Sequence, residues 1–166
     1  MTATTQTARA LVWAAIAAWA CLGAHATYTD LRTATISRRA CWTTGTAVAA
    51  LLGSAAVLGG NPLRWLWTLA GAAPAALLAD FGWQHSHGRL GYGDVRLIAV
   101  NSLLTAWWGT QWPWWALLAG AIAAWPAAIA STARHGRGAH IRWAPWLSCG
   151  TAGVVACNLH AAGTAP

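Results

Sequence analysis

Three aspartates, Asp30, Asp80 and Asp94, are the only acidic side chains in this chain of 166 residues. The chain is 57% hydrophobic and only 8% charged, and a carboxylate in apolar surroundings needs a partner that offsets its desolvation. We expect Asp30 and Asp94 to lie together as a hydrolytic pair. Two carboxylates about 3 Å apart share one proton. The ionised member can take a proton from a water molecule that attacks a peptide carbonyl, while the protonated member donates to the carbonyl oxygen.

Two glycines precede the third aspartate, in the stretch Gly91-Tyr92-Gly93-Asp94. Glycine has no Cβ and readily adopts positive φ, so the stretch predicts a sharp turn into a helix that another backbone can approach closely. An extended peptide substrate needs that clearance. The alternative interpretation is purely structural, with Asp94 as the N-cap residue of the helix.

The low content of charged residues predicts a membrane protein, because a soluble domain typically carries about 25% charged residues. Backbone groups in lipid must be bonded within their own segment, so the apolar runs are expected to be helices. We therefore predict an all-α polytopic bundle with about six transmembrane helices, forming a single domain over residues 1–166. The apolar runs lie at about 10–27, 41–59, 63–81, 95–110, 113–131 and 144–161.

The arginines, which account for all ten basic residues of the chain, predict its orientation. Arg9 and Arg64 fall on one side of the predicted bundle, and the larger group marks the cytoplasmic side. Both termini are then outside, and all three aspartates lie at the cytoplasmic border. The arginines sit singly between apolar runs, so the net charge of +7 predicts lipid contact and not nucleic acid. The larger group comprises Arg32, Arg38, Arg39, Arg89, Arg96, Arg134, Arg137 and Arg142.

The first run permits a second interpretation, because Ala24-His25-Ala26 follows an apolar stretch as the cleavage site of a secretory signal would. Cleavage there would leave Asp30 outside the cell. The cluster of arginines that follows the run at Arg32, Arg38 and Arg39 favours an uncleaved first helix with its N-terminus outside.

Two stretches resemble the aspartate motifs of the prepilin peptidases, which are intramembrane aspartic peptidases of the Gly-x-Gly-Asp type. Tyr28-Thr29-Asp30-Leu31-Arg32, with Ile36 following, is similar to the first motif, and Gly91-Tyr92-Gly93-Asp94-Val95-Arg96-Leu97 is similar to the second. Ala144-Pro145-Trp146 is a weaker match at the start of the last helix. Two departures stand out: Ile36-Ser37-Arg38 replaces the family's Ile-Pro-Asn, and Arg96 replaces its usual lysine.

The resemblance implies an enzyme of the inner membrane that cleaves the cytoplasmic leader peptide from pilin-like precursors. Asp30 and Asp94 would be catalytic, with Gly91, Gly93 and Arg96 as supporting motif residues, and neither a cofactor nor a metal would be needed. The chain lacks C-x-x-C pairs and room for a soluble methyltransferase-type domain. It therefore resembles the short, peptidase-only members of tight-adherence (Flp-type) pilus systems.

Asp80 is expected to support the pair or to bond an arginine such as Arg89. His85 and His87 are two histidines without an obvious third ligand, so we predict no metal site there. Two alternative functions remain open. Intramembrane carboxylates also serve small proton-coupled transporters, and a catalytically inactive pilus-assembly factor would have the same shape.

Overall fold

A computed structural model describes residues 3–86, 90–136 and 141–164 of the chain. Over those residues the chain forms six α-helices and one 3₁₀ turn and no β-strand, which confirms the all-α prediction. The 3₁₀ turn, Ala106–Trp108, directly follows the fourth helix. The helices are α1 (Ala3–Thr33), α2 (Arg38–Leu58), α3 (Pro62–His85), α4 (Tyr92–Thr105), α5 (Trp112–His135) and α6 (Ala144–Thr164).

Three helices in the described part of the chain are long and apolar enough to cross a membrane: α1, α2 and residues 112–134 of α5. Large apolar side chains also point outward, and Trp67, Leu77 and Trp125 are about two-thirds exposed. Such surfaces are suited to lipid contact. The protein is thus a membrane protein, while the number of crossings and the side on which each terminus lies stay predictions.

The α4 helix is shorter than the apolar run 95–110 that predicted it. It has 14 residues, and a helix of that length is about 21 Å long, less than a bilayer core of about 30 Å. The chain tightens into the 3₁₀ turn after Thr105 and then leaves helical geometry at Gly109, where φ is 151°. Apolar composition alone did not indicate this early end.

The short α4 helix lies at the centre of the bundle and contacts each of the other five helices. Eight of its residues are buried, among them Leu97 and Leu104, which are fully inaccessible. Because a central helix is held from all sides, its first turn is fixed in place. Asp94 lies in that first turn.

A buried hydrogen-bonded bridge joins α1, α4 and α6. The indole Nε1 of Trp19 donates to the amide oxygen of Asn101 at 2.8 Å, and the Asn101 Nδ2 donates to the Leu147 carbonyl at 3.3 Å. Trp19 lies three helical turns before Asp30, and Asn101 lies two turns after Asp94, so each pair shares one helix face. The bridge therefore sets the position of α1 against α4 on the faces that carry the two aspartates.

The α6 helix packs on α5 through glycine. A Cβ at Gly150 would lie 2.6 Å from the backbone nitrogen of Gly120, and a Cβ at Gly120 would lie 2.8 Å from the Trp146 carbonyl oxygen. Neither position has space for a side chain, so the two backbones come into direct contact, as small residues permit in membrane bundles. This packing places the N-terminus of α6 close to the end of α1.

Candidate active site

Asp30 lies one turn before the end of α1 and is only 7% exposed. Its carboxylate Oδ2 accepts a hydrogen bond of 3.2 Å from the backbone N–H of Ala144, the first residue of α6. The positive end of the helix dipole favours a negative charge at that place. The α1 helix ends at Thr33, and the next residue, Ala34, has a left-handed φ of 57° and donates its N–H to the Asp30 carbonyl at 3.1 Å.

Arg142 approaches Asp30 from the segment before α6. Its Nη1 donates to the main-chain carbonyl of Asp30 at 2.7 Å and lies 3.9 Å from the carboxylate Oδ1. The Arg142 side chain is 42% exposed, so solvent weakens this ion pair. In the sequence, Arg142 was only one of the arginines that predicted the cytoplasmic side of the membrane. Its position two residues before a helix start was the signal that could have placed it near a carboxylate.

Asp94 is the third residue of α4, because the helix begins at Tyr92 with Gly91 as its N-cap residue. The alternative that made Asp94 the N-cap is wrong by three positions. The carboxyl group instead turns back toward Gly91: a Cβ on that glycine would lie 3.1 Å from the Asp94 Oδ2. The backbone N–H of Gly91 bonds the carboxyl group, as an acidic residue at the third helical position does in a capping box.

The charges of Asp30 and Asp94 interact at one end of the bundle. Burial and, to a smaller extent, the charge of Asp30 together raise the pKa of Asp94 to about 6, while the Gly91 N–H opposes the shift. Asp94 precedes the apolar run that starts at Val95, so it lies outside the predicted spans. An effect of Asp30 on the pKa of Asp94 requires the two carboxyl groups to be near each other. Asp30 and Asp94, 64 positions apart in the sequence, thus lie close enough for their charges to interact.

Gly93 leaves space for the segment between α1 and α2. A Cβ at position 93 would lie 2.9 Å from the Cβ of Ile36 and 3.3 Å from its Cγ1. Ile36 therefore packs directly on the first turn of α4 and connects the segment after Asp30 to the turn that holds Asp94. Ile36 therefore fills the space beside Gly93, which the sequence had predicted to accommodate the substrate.

Ser37 stands where the resembled family has proline. It is the N-cap residue of α2, and its hydroxyl oxygen accepts a hydrogen bond of 3.3 Å from the Ala40 N–H. Serine is among the preferred N-cap residues. The segment between α1 and α2 is therefore fixed by a cap in place of a proline ring.

Within the described part of the chain, neither Asp80 nor Arg96 forms a hydrogen bond or an ion pair with Asp30 or Asp94. Asp80 accepts from Gln84 Nε2 at 2.8 Å, one turn along α3. Its suggested partner Arg89 lies outside the described residues. The guanidinium of Arg96 stacks over the Tyr92 ring at 4.4 Å, and that ring in turn lies 4.5 Å from Trp83. Arg96, Tyr92 and Trp83 thus pack in a row that connects the start of α4 to the end of α3.

The histidine pair was not expected to hold a metal ion. The His85 ring Nδ1 lies 2.9 Å from the Phe81 carbonyl oxygen, and His87 lies outside the described residues. Within the described ranges no group of three potential ligands comes together.

The raised pKa of Asp94 predicts how stability changes with pH. In the unfolded chain the carboxyl group loses its proton near pH 3.8, but in the folded protein it does so near pH 6. The folded state binds more protons in this window, so stability falls as pH rises from about 4 to about 6. We expect Asp94→Asn to remove this part of the pH dependence. Its melting temperature should exceed that of the wild type more at pH 7 than at pH 4.5.

Thermal unfolding in detergent at both pH values checks this expectation, with Asp80→Asn as the control. That variant also removes one carboxylate, but one that is bonded to Gln84 on its own helix and does not contribute to the pKa shift of Asp94. It should follow the wild-type pH profile. A difference between Asp94→Asn and wild type that is constant from pH 4.5 to 7 would contradict the coupling.

Comparison with known protein families matches residues 14–131 to the Type IV leader peptidase family. The matched stretch contains both aspartates and the glycines before Asp94, and it ends before α6. Comparison with curated proteins and with solved structures gave no match. The family match covers well over half of the chain, and the family is one of proteases. The chain therefore belongs to the Type IV leader peptidase family.

Proposed function

We propose that this protein is an intramembrane aspartic endopeptidase that removes the leader peptide from pilin-like precursors. Asp30 and Asp94 are its catalytic residues, and they act at the cytoplasmic border of the inner membrane. The observation that supports this proposal is the electrostatic coupling of the two carboxyl groups, through which Asp30 raises the pKa of Asp94. A shared proton is what general acid–base hydrolysis by two carboxyl groups requires.

The surroundings of the two groups suggest different roles. The Ala144 N–H and the Arg142 guanidinium both interact favourably with a negative charge on Asp30. Asp94 is the group whose raised pKa favours the protonated form. Asp30 then takes a proton from water as the water oxygen attacks the scissile carbonyl carbon. Asp94 donates its proton to the carbonyl oxygen, giving a tetrahedral diol.

Collapse of this intermediate restores both groups. The carbon–nitrogen bond breaks, and the leaving amine takes the proton that Asp30 holds. The hydroxyl proton of the intermediate returns to Asp94 as the new carboxyl group forms. One water molecule is consumed, and the pair ends in its starting protonation state.

A groove of about 290 Å³ between α2 and α4 is suited to the apolar helix of the precursor. The groove reaches Arg96, which lies two residues after Asp94 on α4, and neither aspartate lines it. Small side chains line it, and small residues allow helices to approach closely in membranes. A helix seated there would present its polar end to the two aspartates. The lining includes Cys41, Gly45 and Ala49 of α2 and Arg96, Ala99 and Leu103 of α4.

Filling the groove should weaken substrate binding. Ala49→Leu adds volume inside it, and such overpacking costs about 1–3 kcal/mol. We expect kcat/KM to fall by about tenfold, mainly through KM. Ala47→Leu is the matched control, because residue 47 is exposed on the same helix and does not line the groove. Equal kinetics in the two variants would place the substrate helix elsewhere.

The proposed function is tested with the purified protein in liposomes and a pilin-like precursor as substrate. Mass spectrometry should find one cut between the basic leader and the apolar helix, and EDTA should not slow it. Precursor that stays intact, with the protein shown to be folded by circular dichroism, would contradict the peptidase. Proton flux into the same liposomes without hydrolysis would identify a transporter, and binding without cleavage would identify an assembly factor.

A further inference from the structure

A groove of about 450 Å³ lies at the end of the bundle opposite the aspartates. The first turns of α1, the connection between α2 and α3, and the 3₁₀ turn after α4 form its walls. It contains two arginines, and none of the chain's three aspartates lines it. The residues that matter here are Arg9, Trp13, Asn61, Arg64 and Trp107.

Arg64 is held in one orientation. Its Nε and Nη2 donate to the Trp107 carbonyl at 3.2 and 3.1 Å, and its guanidinium lies 4.1 Å from the centre of the Trp107 ring. The Asn61 side chain caps α3 by accepting from the Arg64 N–H at 3.2 Å. The charge of this arginine is therefore fixed at the groove and costs little further ordering when a ligand binds.

Arg9 lies on the exposed surface of α1 and lines the same groove. Among the described residues Arg9 forms no ion pair with an acidic side chain. The groove thus contains two cations: Arg64, which is held in one orientation, and Arg9, whose orientation can adjust to a ligand. Arginine binds phosphate through several N–H donors at once, which suits a phosphate group between the two side chains.

We propose that this groove binds the phosphate of an anionic phospholipid. The protein lies in a membrane, and apolar residues continue the groove along α1 and α2 from the arginines toward the bundle centre. Val12, Ala55 and Ala56 form this wall, and Trp13, which is 48% exposed, lies beside it. A lipid fits both parts, because its headgroup meets the cations while an acyl chain lies on the apolar wall. Inorganic phosphate would meet the cations alone.

Native mass spectrometry of the detergent-purified full chain tests the proposal with phosphatidylglycerol and phosphatidylcholine as probes. We expect tighter binding of phosphatidylglycerol. Arg9→Gln should weaken it about fivefold, the effect of one basic residue at a lipid surface, and Arg9→Lys should restore most of the loss. Arg39→Gln, an exposed arginine at the other end of the bundle, is the matched control and should bind as the wild type does.

Three results would overturn the lipid site. Equal weakening of phosphatidylglycerol binding in Arg9→Gln and Arg39→Gln would indicate general attraction to a basic protein. Phosphatidylcholine binding as tightly as phosphatidylglycerol would remove the role of charge. Inorganic phosphate raising the melting temperature as much as phosphatidylglycerol would assign the groove to a free anion. Cleavage activity enters none of these measurements, so the outcome is independent of the proposed function.

Discussion

Replacing Asp94 with asparagine is expected to lower kcat/KM for cleavage of a pilin-like precursor by about 10³-fold, and Asp30→Asn should do the same. General acid–base catalysis by a positioned side chain contributes roughly 10²- to 10⁴-fold. Asparagine keeps the shape of aspartate, so each variant can still accept the backbone hydrogen bond, from Gly91 at position 94 or from Ala144 at position 30. What each variant loses is the exchangeable proton of the pair.

The measurement is single-turnover cleavage by purified protein in liposomes, with Asp80→Asn as the matched control. Asp80 bonds Gln84 on α3, and its replacement should leave the rate within about twofold of wild type. Because residues that act as a unit are non-additive, the double variant Asp30→Asn/Asp94→Asn should be no slower than either single variant. Full activity in one single variant would remove that aspartate from catalysis.

The carboxyl pair was predictable from sequence because so few acids are present. The chain contains only Asp30, Asp80 and Asp94 as acidic residues, and two of them lie within recognisable motifs. Few pairs of acidic residues therefore had to be considered. The placement of both aspartates at one end of the bundle follows from helix order, since short connections alternate the helix direction and bring the end of α1 to the same side as the start of α4.

The environment of each carboxyl group was not predictable in the same way. Asp30 is held by Ala144 and Arg142, which are more than 110 residues away along the chain. The packing of α6 on α5, through Gly120 and Gly150, and its contacts with α1 and α4 bring them there. Local pattern carries no information about which helix terminus meets which side chain. The polar bridge from Trp19 through Asn101 was missed for the same reason.

Helix boundaries were predictable only where a strong local signal marks them. The start of α6 at Ala144 and the apolar content of α2 agree with the sequence interpretation. The end of α4 does not, because Trp107 and Trp108 continue the apolar run while their backbone has already tightened to 3₁₀ geometry. Composition describes how well a segment suits lipid, whereas the end of a helix depends on its backbone contacts.

Adding a single methyl group at Gly93 is expected to lower cleavage by about 10²-fold. The new Cβ would lie 2.9 Å from the Cβ of Ile36, so either the segment after Asp30 or the first turn of α4 must move. A displacement of about 1 Å at a catalytic group can cost about 10²-fold in rate. Alanine also raises helix propensity by roughly 0.5–1 kcal/mol over glycine. The Gly93→Ala variant should therefore lose activity without losing helix content.

Gly82→Ala is the matched control, because it makes the same change in α3 with nothing within 4 Å of the new Cβ, and it should retain wild-type activity. The double variant Ile36→Gly/Gly93→Ala should recover a large part of the lost rate, since glycine at position 36 removes the Cβ, Cγ1 and Cδ1 atoms that lie 2.9, 3.3 and 3.4 Å from the added group. Such recovery measures a coupling between the two positions. If Ile36→Gly brings no recovery, the contact does not position the carboxyl pair, and Gly93 is needed for its backbone or for space beside the substrate.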